Sequence, residues 1–481
     1  MLLPDNFKNI VKTIQMSKMF RLIRESVAAF DGQVYVVGGW VRNMLLDKKS
    51  KDIDFVVVGD VNKFADIFIS KADKATSVSF FKNFGTVSIK TSGYEIEMVG
   101  ARKESYRTNS RNPDVEPGNL DDDLLRRDFT VNAFAVSLNE DNFLEFIDHF
   151  DGLADLNNKV LRTPNDPDTT FSDDPLRIMR AIRFATQLNF TIDDSTADSI
   201  IKNRERLSIV SMERISDELN KIILSSKPST GFLLLHDFKI LDIIFPELTA
   251  LKGTETVDNR SHKDNFHHTL QVLDNIAGVS DNLWLRWAAL LHDIGKPPSK
   301  KYDNEIGWTF HSHEVIGSNM VPNLFRRLHL PLNEKMKYVR KLVFLHLRPI
   351  ALTKEEVTDS AIRRLIVDAA NDLDDLLLLC RADVTSKNPF RVNTFLQRFD
   401  DVANKIEMVM EKDHLRNWEN PVKGELIMQK FNIPPSKTVG IIKEAVKEAI
   451  LEGTIKNNFE EAEKFMINYA KSLGLIPHEN R

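Results

Sequence analysis

VVGGWVR at residues 36–42 and KDIDFVVV at residues 51–58 decide the fold of the first part of this chain. The pattern predicts an apolar strand that runs into a glycine turn and a short helix, followed by a second apolar strand with two carboxylates. Because side chains alternate between the two faces of a strand, Asp52 and Asp54 project to the same side, while the apolar residues around them face a buried layer.

Two carboxylates held this close together require cations, and the arrangement favours one or two Mg²⁺ ions that bridge to a polyphosphate. Gly38 and Gly39 allow the backbone to approach a phosphate, and the start of the following helix points free N–H groups at it. The glycine pair and Arg42 come just before the acidic strand, in the order that a nucleotide site needs. The alternative is an edge strand with two solvated aspartates.

The rest of the chain divides into a region of short strands and a long helical region. Residues 7–30 have the periodicity of one amphipathic helix, and residues 107–123, rich in turn formers and charges, predict a mobile loop. From Asp173 onward the periodicity is helical, with almost no strand pattern. Strands are predicted at residues 33–37, 52–58, 77–81, 86–90 and 95–99, with a further pair near 133–138 and 143–146.

The composition is that of a globular protein with several domains. The 481 residues exceed the size of a single core, and no apolar run approaches the roughly 18 residues of a membrane span. The net charge of −5 argues against binding nucleic acid over the whole surface, so a polynucleotide would need a local basic surface. Cys380 is the only cysteine, and its apolar neighbours predict a buried, inert thiol. With an N-terminus unlike a signal peptide, this predicts a cytoplasmic protein with no membrane partner.

Further motifs follow one another in the order of a known enzyme family. They are EIEMV at residues 95–99, ARKESY at 101–106, LRRDFTVNA at 125–133, FDGLADL at 150–156 and SDDPLRIMRAIRFA at 172–185. With the opening motif they closely resemble the class II tRNA nucleotidyltransferase and bacterial poly(A) polymerase family, over roughly the first half of the chain. The resemblance implies a multidomain fold, with an α/β nucleotidyltransferase head of the DNA polymerase β type followed by an all-α neck and tail.

The resemblance implies roles for particular positions. Asp52 and Asp54 would hold Mg²⁺, and Glu97 is the candidate for a third catalytic carboxylate, with an ordinary surface glutamate as the alternative. The residues implied in nucleotide binding are Gly38, Gly39, Arg42, Arg127, Asp128, Asp174, Arg177 and Arg180. The first three of these would contact the triphosphate, and the next two would lie near the incoming ribose.

Asp174 and Arg177 are the residues for which a role in selecting the nucleotide base is predicted. They are three residues apart in a predicted helix and therefore neighbours on its face, so the plain alternative is an intrahelical salt bridge. In the resembling family this helix offers an aspartate and an arginine to the base of the incoming nucleotide. The carboxylate accepts from an exocyclic amine and the guanidinium donates to the adjacent ring acceptor, an order that cytosine and adenine present and that guanine and uracil reverse. The family often has glutamate where this chain has Asp173.

A second set of motifs, FHHTL at residues 266–270, ALLHDIGKP at 289–297 and RADV at 381–384, resembles an HD domain. Such a helical domain binds divalent metal through a histidine, an adjacent His-Asp pair and a distant aspartate. The ligands implied here are His268, His292, Asp293 and Asp383, with His313 and His346 in places where two-metal HD enzymes carry extra ligands. His311 competes with His313 for that role. Imidazoles with carboxylates suit a divalent transition metal, or Mg²⁺ at the oxygen-rich end. The alternative is a helical domain that only supports RNA.

These features predict a Mg²⁺-dependent tRNA nucleotidyltransferase that adds C and A residues from CTP and ATP to the tRNA 3′ end. Its HD domain would add a metal-dependent phosphohydrolase activity. The implied partners are tRNA, ATP and CTP, with no protein partner. Within the same chemistry the alternatives are a poly(A) polymerase or an enzyme restricted to CC or A addition. Outside it, the alternatives are an HD phosphohydrolase with a nucleotide-binding head, and an RNA-binding scaffold.

The motifs also suggest where the domains begin and end. The predicted domains are a nucleotidyltransferase head at residues 1–160, a helical RNA-binding neck at 161–252, an HD domain at 253–415 and a helical tail at 416–481. Cations of the neck could cradle an RNA backbone, although charges of this kind often form a solvated face. These cations are Lys202, Arg204, Arg206, Arg214 and Lys221.

Overall fold

The structure of the chain is a computed structural model that divides into two compact units. It describes residues 6–72, 77–81, 85–91, 93–105, 114–253, 256–257, 260–261, 264–353, 358–385, 388–413 and 418–478. The first unit comprises Met1–Ile222 and Thr230–Ile244, and the second comprises Ile223–Ser229 and Phe245–Arg481. The finer division into four domains remains a prediction.

Helices dominate the described residues, and strands are concentrated in the first unit. The α-helices are α1 (Phe7–Met16), α2 (Lys18–Val27), α3 (Gly39–Leu45), α4 (Val61–Lys71), α5 (Leu120–Leu125), α6 (Gly152–Asn158), α7 (Pro167–Asp173), α8 (Leu176–Leu188), α9 (Asp194–Asn203), α10 (Met212–Ile223), α11 (Pro228–Asp237), α12 (Leu241–Ile244), α13 (Pro246–Thr249), α14 (Asn265–Ala277), α15 (Leu283–Leu291), α16 (Lys296–Ser299), α17 (His313–Arg327), α18 (Glu334–Leu345), α19 (Leu347–Leu352), α20 (Asp359–Ala369), α21 (Leu373–Asp383), α22 (Pro389–Lys412), α23 (Gly424–Phe431), α24 (Lys437–Leu451) and α25 (Phe459–Ser472). The strands are β1 (Gln33–Val37), β2 (Asp52–Val58), β3 (Ser77–Phe81), β4 (Thr86–Thr91), β5 (Tyr94–Gly100), β6 (Arg102–Ser105), β7 (Asp114–Pro117), β8 (Ala135–Ser137), β9 (Phe146–Ile147), β10 (Val160–Leu161), β11 (Thr191–Ile192), β12 (Thr256–Val257), β13 (Arg260–Ser261), β14 (Lys301–Asp303) and β15 (Gly307–Thr309).

Seven strands of the first unit form one sheet in the order β3-β4-β5-β2-β1-β8-β9. β2 pairs parallel with β5, and the other neighbours pair antiparallel. In this register Asp54 stands between Val37 of β1 and Glu97 of β5, and Asp52 stands beside Glu95. Because residues directly opposite one another in neighbouring strands share a face, the Asp54 and Glu97 side chains emerge on the same side. The strand order therefore brings the predicted third carboxylate next to the predicted pair.

Apolar layers cover both faces of this sheet next to the acidic strand. On one face Tyr35 and Val56 belong to a buried cluster with Leu124 of α5. On the other face Phe55 contacts Phe20 of α2, with ring centroids 6.0 Å apart. Because burying a side chain of this size contributes about 1.5–3 kcal/mol, these layers hold β2 firmly. The acidic end of the strand therefore projects from a rigid frame.

Local predictions are wrong in three places. The helix predicted at residues 7–30 is broken at Ser17, whose extended backbone separates α1 from α2. Of the loop predicted at 107–123, residues 107–113 lie outside the described residues, whereas β7 and α5 occupy much of the remainder. Pairing of β7 with β6 and a capping box at Asn119 supply order there that a turn-rich composition does not reveal. Short strands from β11 to β15 likewise interrupt the region predicted to be helical.

The second unit is built from packed helices. Trp287 of α15 and Phe325 of α17 are fully buried, with ring centroids 6.3 Å apart. Arg286 is buried beside them, and its Nη1 donates to the carbonyls of Ile223 and Ser225, each at 2.8 Å, so the buried charge has partners. Helices α23 to α25 contribute another buried apolar cluster. Across the described residues, no helix combines the length and the apolar character needed to cross a membrane.

Candidate active site and metal centre

One cavity of the first unit brings the predicted nucleotide-site residues together. Its volume is about 960 Å³, in the range of ligand-binding clefts. The predicted residues that line it are Asp52, Asp54, Glu97, Gly39, Arg42, Arg127, Asp128, Asp174, Arg177 and Arg180. Its described lining holds nine cationic side chains and five carboxylates, so the cavity suits a ligand with several negative charges.

The carboxylates of the acidic strand belong to the sheet face that borders this cavity. Asp52 is exposed at the start of β2, and Asp54 is half-buried. Burial raises the pKa of Asp54, Arg127 opposes this effect, and the neighbouring Asp52 carboxylate raises the pKa further. Burial and the charge of Asp54 likewise raise the pKa of Glu97. Oxygen ligands that repel one another fit Mg²⁺, because a bound cation would relieve the repulsion.

The head carboxylates alone do not make a closed metal cage. Among the described residues, Asp52, Asp54 and Glu97 are not a set whose ligand atoms all lie within 4.8 Å of one another. Magnesium in proteins is commonly held by one or two carboxylates, with the remaining positions taken by water and substrate phosphates. A magnesium ion at carboxylates of this spacing would have coordination positions left for water and a ligand.

Gly38 forms the turn between β1 and α3. Its backbone has φ +72° and ψ −136°, a conformation that residues with a side chain rarely adopt. A Cβ atom at this position would lie 2.8 Å from Arg127 Nη1 and 3.5 Å from Asp54 Oδ2. Glycine therefore leaves the turn open next to a carboxylate and a guanidinium, where a phosphate could approach the backbone.

A buried network joins Arg42 to Asp128 and Asn132 of the LRRDFTVNA motif. The guanidinium of Arg42 donates to the Asn132 side chain and, at 2.8 Å, to Asn43 Oδ1, and burial lowers its pKa to about 10. Asn132 Nδ2 donates to Asp128 Oδ1 at 2.9 Å, and Arg180 Nε donates to Asp128 Oδ2 at 2.8 Å. Burial raises the pKa of Asp128, but Arg180 and Asn132 together lower it to about 2. Asp128 is therefore ionised, and both of its oxygens are engaged.

The prediction that one helix carries both Asp174 and Arg177 is wrong, because Asp174 is not helical. Asp174 has an extended backbone, φ −130° and ψ 97°, between α7 and α8, and only Arg177 is helical. Asp174 Oδ1 accepts from the Leu176 amide at 3.2 Å, and its Oδ2 lies 3.7 Å from Arg214 Nη2. Arg177 Nη2 donates to the Arg126 carbonyl at 2.7 Å. The alternative of an intrahelical salt bridge is therefore wrong as well, and both side chains line the cavity.

Sequence reasoning missed two buried carboxylates that hold arginines of the cavity wall. Asp123 of α5 is 0% exposed and accepts from both Arg126 and Arg127. Glu218 of α10 accepts from Arg183 Nε at 2.5 Å. The spacing from Asp123 to the two arginines, three and four residues, is a helical pattern that could have identified it. No comparable pattern links Glu218 to its partner, which lies on another helix.

All five neck cations predicted to cradle RNA lie near protein groups. Arg214 and Lys221 line the cavity, where they face Asp174 and Glu218. The other three contact groups outside it: Lys202 the Asp168 carboxylate, Arg204 the Glu205 carboxylate, and Arg206 the Ser172 carbonyl. An RNA-binding role for this set remains a prediction.

In the second unit, the six side chains predicted as HD ligands form one cluster, buried except for the partly exposed Asp383. They are His268, His292, Asp293, His313, His346 and Asp383. Nδ1 of His292, His313 and His346 lies 2.7, 2.8 and 2.7 Å from a backbone carbonyl, which fixes the proton on that nitrogen. The Nε2 atoms of these three described rings are buried and make no hydrogen bond, although the Asp293 carboxylate lies 3.3–3.4 Å from those of His292 and His313. Imidazole nitrogens oriented in this way could serve as ligands of a divalent metal ion.

The carboxylates stand between these imidazoles. His268 Nε2 lies 2.8 Å from Asp383 Oδ1, and Asp293 lies 3.3 Å from His292 Nε2 and 3.4 Å from His313 Nε2. Although burial lowers the pKa of His292, Asp293 and Asp383 raise it to about 10, so the centre strongly favours positive charge. Ligand atoms within 4.8 Å of one another form two sets, His268 with His292 and Asp383, and Asp293 with His313 and His346.

Neither His311 nor Cys380 belongs to the sets of possible metal ligands. His311, the predicted competitor, is exposed, whereas His313 is 8% exposed and belongs to the cluster. Cys380 is buried, as predicted, and its Sγ donates to the His346 carbonyl at 3.0 Å. Burial raises the pKa of the Cys380 thiol, so it stays protonated and does not compete for metal.

Family models match three successive parts of the chain. The poly A polymerase head domain matches residues 34–162, and the HD domain matches residues 265–386. Between them, a probable RNA- and SrmB-binding site of polymerase A matches residues 189–252.

Individual relatives agree with these matches. The chain is 32% identical to the A-adding tRNA nucleotidyltransferase of Deinococcus radiodurans, over 74% of this chain and 80% of that protein. It is 30% identical to the multifunctional CCA protein of Shewanella frigidimarina, over 76% of this chain and 86% of that protein. Its fold is similar to that of a CCA-adding enzyme in an apo form, with a TM-score of 0.63 and 21% identity over 97% of this chain and 96% of the other. The chain therefore belongs to the tRNA nucleotidyltransferase and poly(A) polymerase family, as an α/β nucleotidyltransferase head followed by helical domains that include an HD domain.

Proposed function

We propose that this nucleotidyltransferase adds C and A residues from CTP and ATP to the 3′ end of tRNA. The observation that carries the proposal is that one cavity is lined both by the acidic pair, Asp52 and Asp54, and by Asp174 and Arg177. A nucleotide in this cavity could meet the acidic strand with its phosphates and the second pair with its base. The relatives include an A-adding enzyme and a multifunctional CCA protein, so A-only, CC-only and poly(A) addition remain the alternatives.

The phosphate side of the proposal rests on Asp52, Asp54 and Glu97. These carboxylates would hold Mg²⁺, which when bound supplies charge neutralisation and a lower pKa for the RNA 3′-hydroxyl. Arg42 has two asparagines as its hydrogen-bond partners, so its positive charge is available to a triphosphate. The Gly38-Gly39 turn would admit a phosphate close to the backbone.

The ribose side rests on Arg127, Asp128 and Arg180. Because both oxygens of Asp128 are engaged, we expect it to act by orienting Arg180 and Asn132. Arg127 Nη1, beside the Gly38 turn, is the group expected to reach the sugar or the phosphates.

The base side rests on Asp174 and Arg177. The Asp174 carboxylate would accept from the exocyclic amine of cytosine or adenine, and Arg177 would donate to the adjacent ring nitrogen. Arg214 stays 3.7 Å from Asp174 Oδ2, beyond hydrogen-bond distance, so this oxygen keeps a lone pair for the base. A base with the opposite order of donor and acceptor would face two mismatched groups.

For the HD domain we propose a second, metal-dependent activity. The orphaned imidazole nitrogens and the two aspartates fit a divalent transition metal. Such an ion, when bound, supplies an activated water for hydrolysis of a phosphomonoester or a 2′,3′-cyclic phosphate. Lys296 Nζ lies 2.6 Å from Asp293 Oδ2, where it orients this carboxylate and adds a positive charge for a phosphate. The buried single cysteine favours a reducing compartment, and we propose the cytoplasm.

A stepwise incorporation assay tests the main proposal. Transcripts of tRNA lacking the last three, two or one nucleotides are offered with each labelled NTP, and the products are sequenced. We expect ordered C, C and A addition that then stops. Long A tails would support a poly(A) polymerase instead, and products ending after CC, or growth only from transcripts that already carry CC, would support the restricted enzymes. No metal-dependent incorporation at all would overturn the proposal and favour a phosphohydrolase or a scaffold.

Base selection gives a second prediction. Arg177→Ala is expected to lower the preference for CTP and ATP over UTP and GTP by about 10- to 100-fold, because a hydrogen bond to a charged group contributes about 1.5–3 kcal/mol. The measurement is kcat/KM for each NTP on matched transcripts. Arg177→Lys keeps the charge but loses the planar fork, and we expect an intermediate effect. Arg381→Ala, at an exposed ion pair with Asp400, is the control and should leave base preference unchanged. Unchanged preference in Arg177→Ala would remove this residue from base selection.

A further inference from the structure

Asp123 is a buried carboxylate that holds two arginines of the cavity wall. Arg126 Nε donates to its Oδ1 at 3.0 Å, and Arg127 Nη2 donates to its Oδ2 at 3.0 Å. The Asp123 side chain is 0% exposed and is not part of the cavity lining, whereas both arginines line the cavity. Burial raises the pKa of Asp123, but the two arginines lower it below its usual value, so the group is ionised. One negative charge thus anchors two guanidinium groups and leaves the wall with net positive charge.

Each arginine connects Asp123 to a different part of the nucleotide site. Arg127 Nη1 reaches the turn at Gly38, 2.8 Å from where a Cβ atom would stand, and its charge opposes the rise in the pKa of Asp54. The backbone carbonyl of Arg126 accepts from Arg177 Nη2 at 2.7 Å. Asp123 therefore binds the side chain of Arg127, which reaches the glycine turn, and the side chain of Arg126, whose backbone carbonyl contacts Arg177.

Asp123 is not needed to cap its helix. The N-terminus of α5 is capped by Asn119 and Asp122, with the Asn119 amide donating to Asp122 Oδ2 at 3.0 Å and the Asp122 amide donating to Asn119 Oδ1 at 2.9 Å. The side chains of Arg126 and Arg127 are 21% and 17% exposed, so without an anchor they would sample several rotamers toward solvent. An anchored guanidinium has already lost that freedom when the ligand arrives.

We propose that Asp123 is a positioning residue for the incoming nucleoside triphosphate, fixing Arg127 at the glycine turn and, through Arg126, the orientation of Arg177. This inference rests on the proposed function of the cavity. It assigns to one hidden carboxylate the alignment of groups that meet the phosphates or sugar and the base. We therefore expect substitution of Asp123 to weaken nucleotide affinity and base selection together.

The test compares Asp123→Asn, Asp123→Glu and Asp122→Asn in the full-length chain. Asp123→Asn is expected to raise KM for CTP and ATP by about tenfold or more, and to lower the preference over UTP and GTP by a similar factor. Asp123→Glu keeps the charge but moves it by one methylene, and its values should lie between those of the wild type and Asp123→Asn. Asp122→Asn retains a cap acceptor and should match the wild type in both readouts. Thermal unfolding of each variant is measured alongside.

A purely structural role predicts a different result. Asp123→Asn would then lower Tm and the active fraction, and hence apparent kcat, while KM and base preference stayed at wild-type values, which would overturn the proposal. If Asp123→Asn does not fold, wild-type values of KM and preference in Asp123→Glu would overturn it equally. Equilibrium binding of Mg·ATP separates this inference from the proposed function. A wild type that binds Mg·ATP but incorporates nothing would remove the function, and weaker binding in the Asp123 variants would still support positioning. Equal binding of Mg·ATP by the wild type and the Asp123 variants, or no binding by the wild type, would count against the positioning role of Asp123.

Discussion

A full-length chain carrying Asp54→Asn is expected to lose nucleotide incorporation, with kcat falling by at least about 10³-fold. A ligand of the proposed Mg²⁺ contributes several kcal/mol to the transition state, and each 1.36 kcal/mol is tenfold in rate. Asparagine keeps the size of the side chain and one oxygen, so the change removes charge with little effect on packing. The measurement is steady-state incorporation of CTP and ATP at saturating tRNA transcript. Asp52→Ala is expected to abolish incorporation in the same assay.

The same substitution should not destabilise the protein. Burial raises the folded-state pKa of Asp54, so its ionised form is less favourable in the folded than in the unfolded chain. For a carboxyl group with a raised folded-state pKa, this penalty is present at pH values above the folded-state pKa and disappears below the unfolded-state pKa. At neutral pH and without added metal, Asp54→Asn should therefore have a Tm equal to or above that of the wild type. Lower activity with equal or higher Tm separates a metal ligand from a structural residue.

The control for Asp54→Asn is Asp60→Asn, two residues beyond the same strand. Asp60 caps α4 by accepting from the amides of Asn62 and Lys63, and asparagine is an equally good cap. This variant should keep both wild-type activity and wild-type Tm. Retention of more than a tenth of wild-type kcat by Asp54→Asn would discard the metal assignment.

The head sheet could be predicted from the sequence because each strand carries its own pattern. β1, β2 and β3 have the predicted bounds, β4 is one residue longer at its C-terminal end, and β5 is one residue longer at each end. Alternation along β2 also predicts that Asp52 and Asp54 share a face. The neighbour of Asp54 could not be predicted in this way. Glu97 stands beside it because β5 pairs parallel with β2, and strand order depends on the whole sheet.

Some of the errors have local causes that the sequence contains, and others depend on tertiary packing. Asp174 precedes Pro175, and the proline ring disfavours helical backbone in the residue before it, so α8 begins only after the proline. Asp123 lies in an acidic run within a stretch that composition assigns to a loop, yet it stands at helical spacing from two arginines. Its burial depends on packing of α5 against the sheet, which no local pattern contains. Likewise, no sequence pattern distinguishes His311 from His313, and the structure separates them because His313 begins α17 and is buried whereas His311 is exposed.

His313→Ala is expected to weaken metal binding by the HD centre by at least about 10²-fold. Its Nε2 is one of the buried ring nitrogens that make no hydrogen bond. Substitution of residues that only support metal ligands already lowers metal affinity by about 10- to 100-fold, so loss of a ligand should cost at least as much. The measurement is equilibrium dialysis of the full-length chain against Mn²⁺, with bound metal quantified by elemental analysis. Hydrolysis of a 2′,3′-cyclic nucleotide should fall in parallel, while CTP and ATP incorporation with Mg²⁺ should remain at wild-type level.

His311→Ala is the matched control for His313→Ala. The two histidines stand two residues apart, but His311 is exposed and outside both sets of ligand atoms, so its removal should change neither Mn²⁺ binding nor hydrolysis. Loss of binding in His311→Ala with normal binding in His313→Ala would reverse the assignment of the ligand. If the wild type binds no Mn²⁺, the alternative of a helical domain that only supports RNA would be favoured. Loss of nucleotide incorporation in His313→Ala, with the fold intact, would instead favour a phosphohydrolase whose head only binds nucleotide. Separate loss of the two activities in Asp54→Asn and His313→Ala is therefore the result that the two-centre proposal requires.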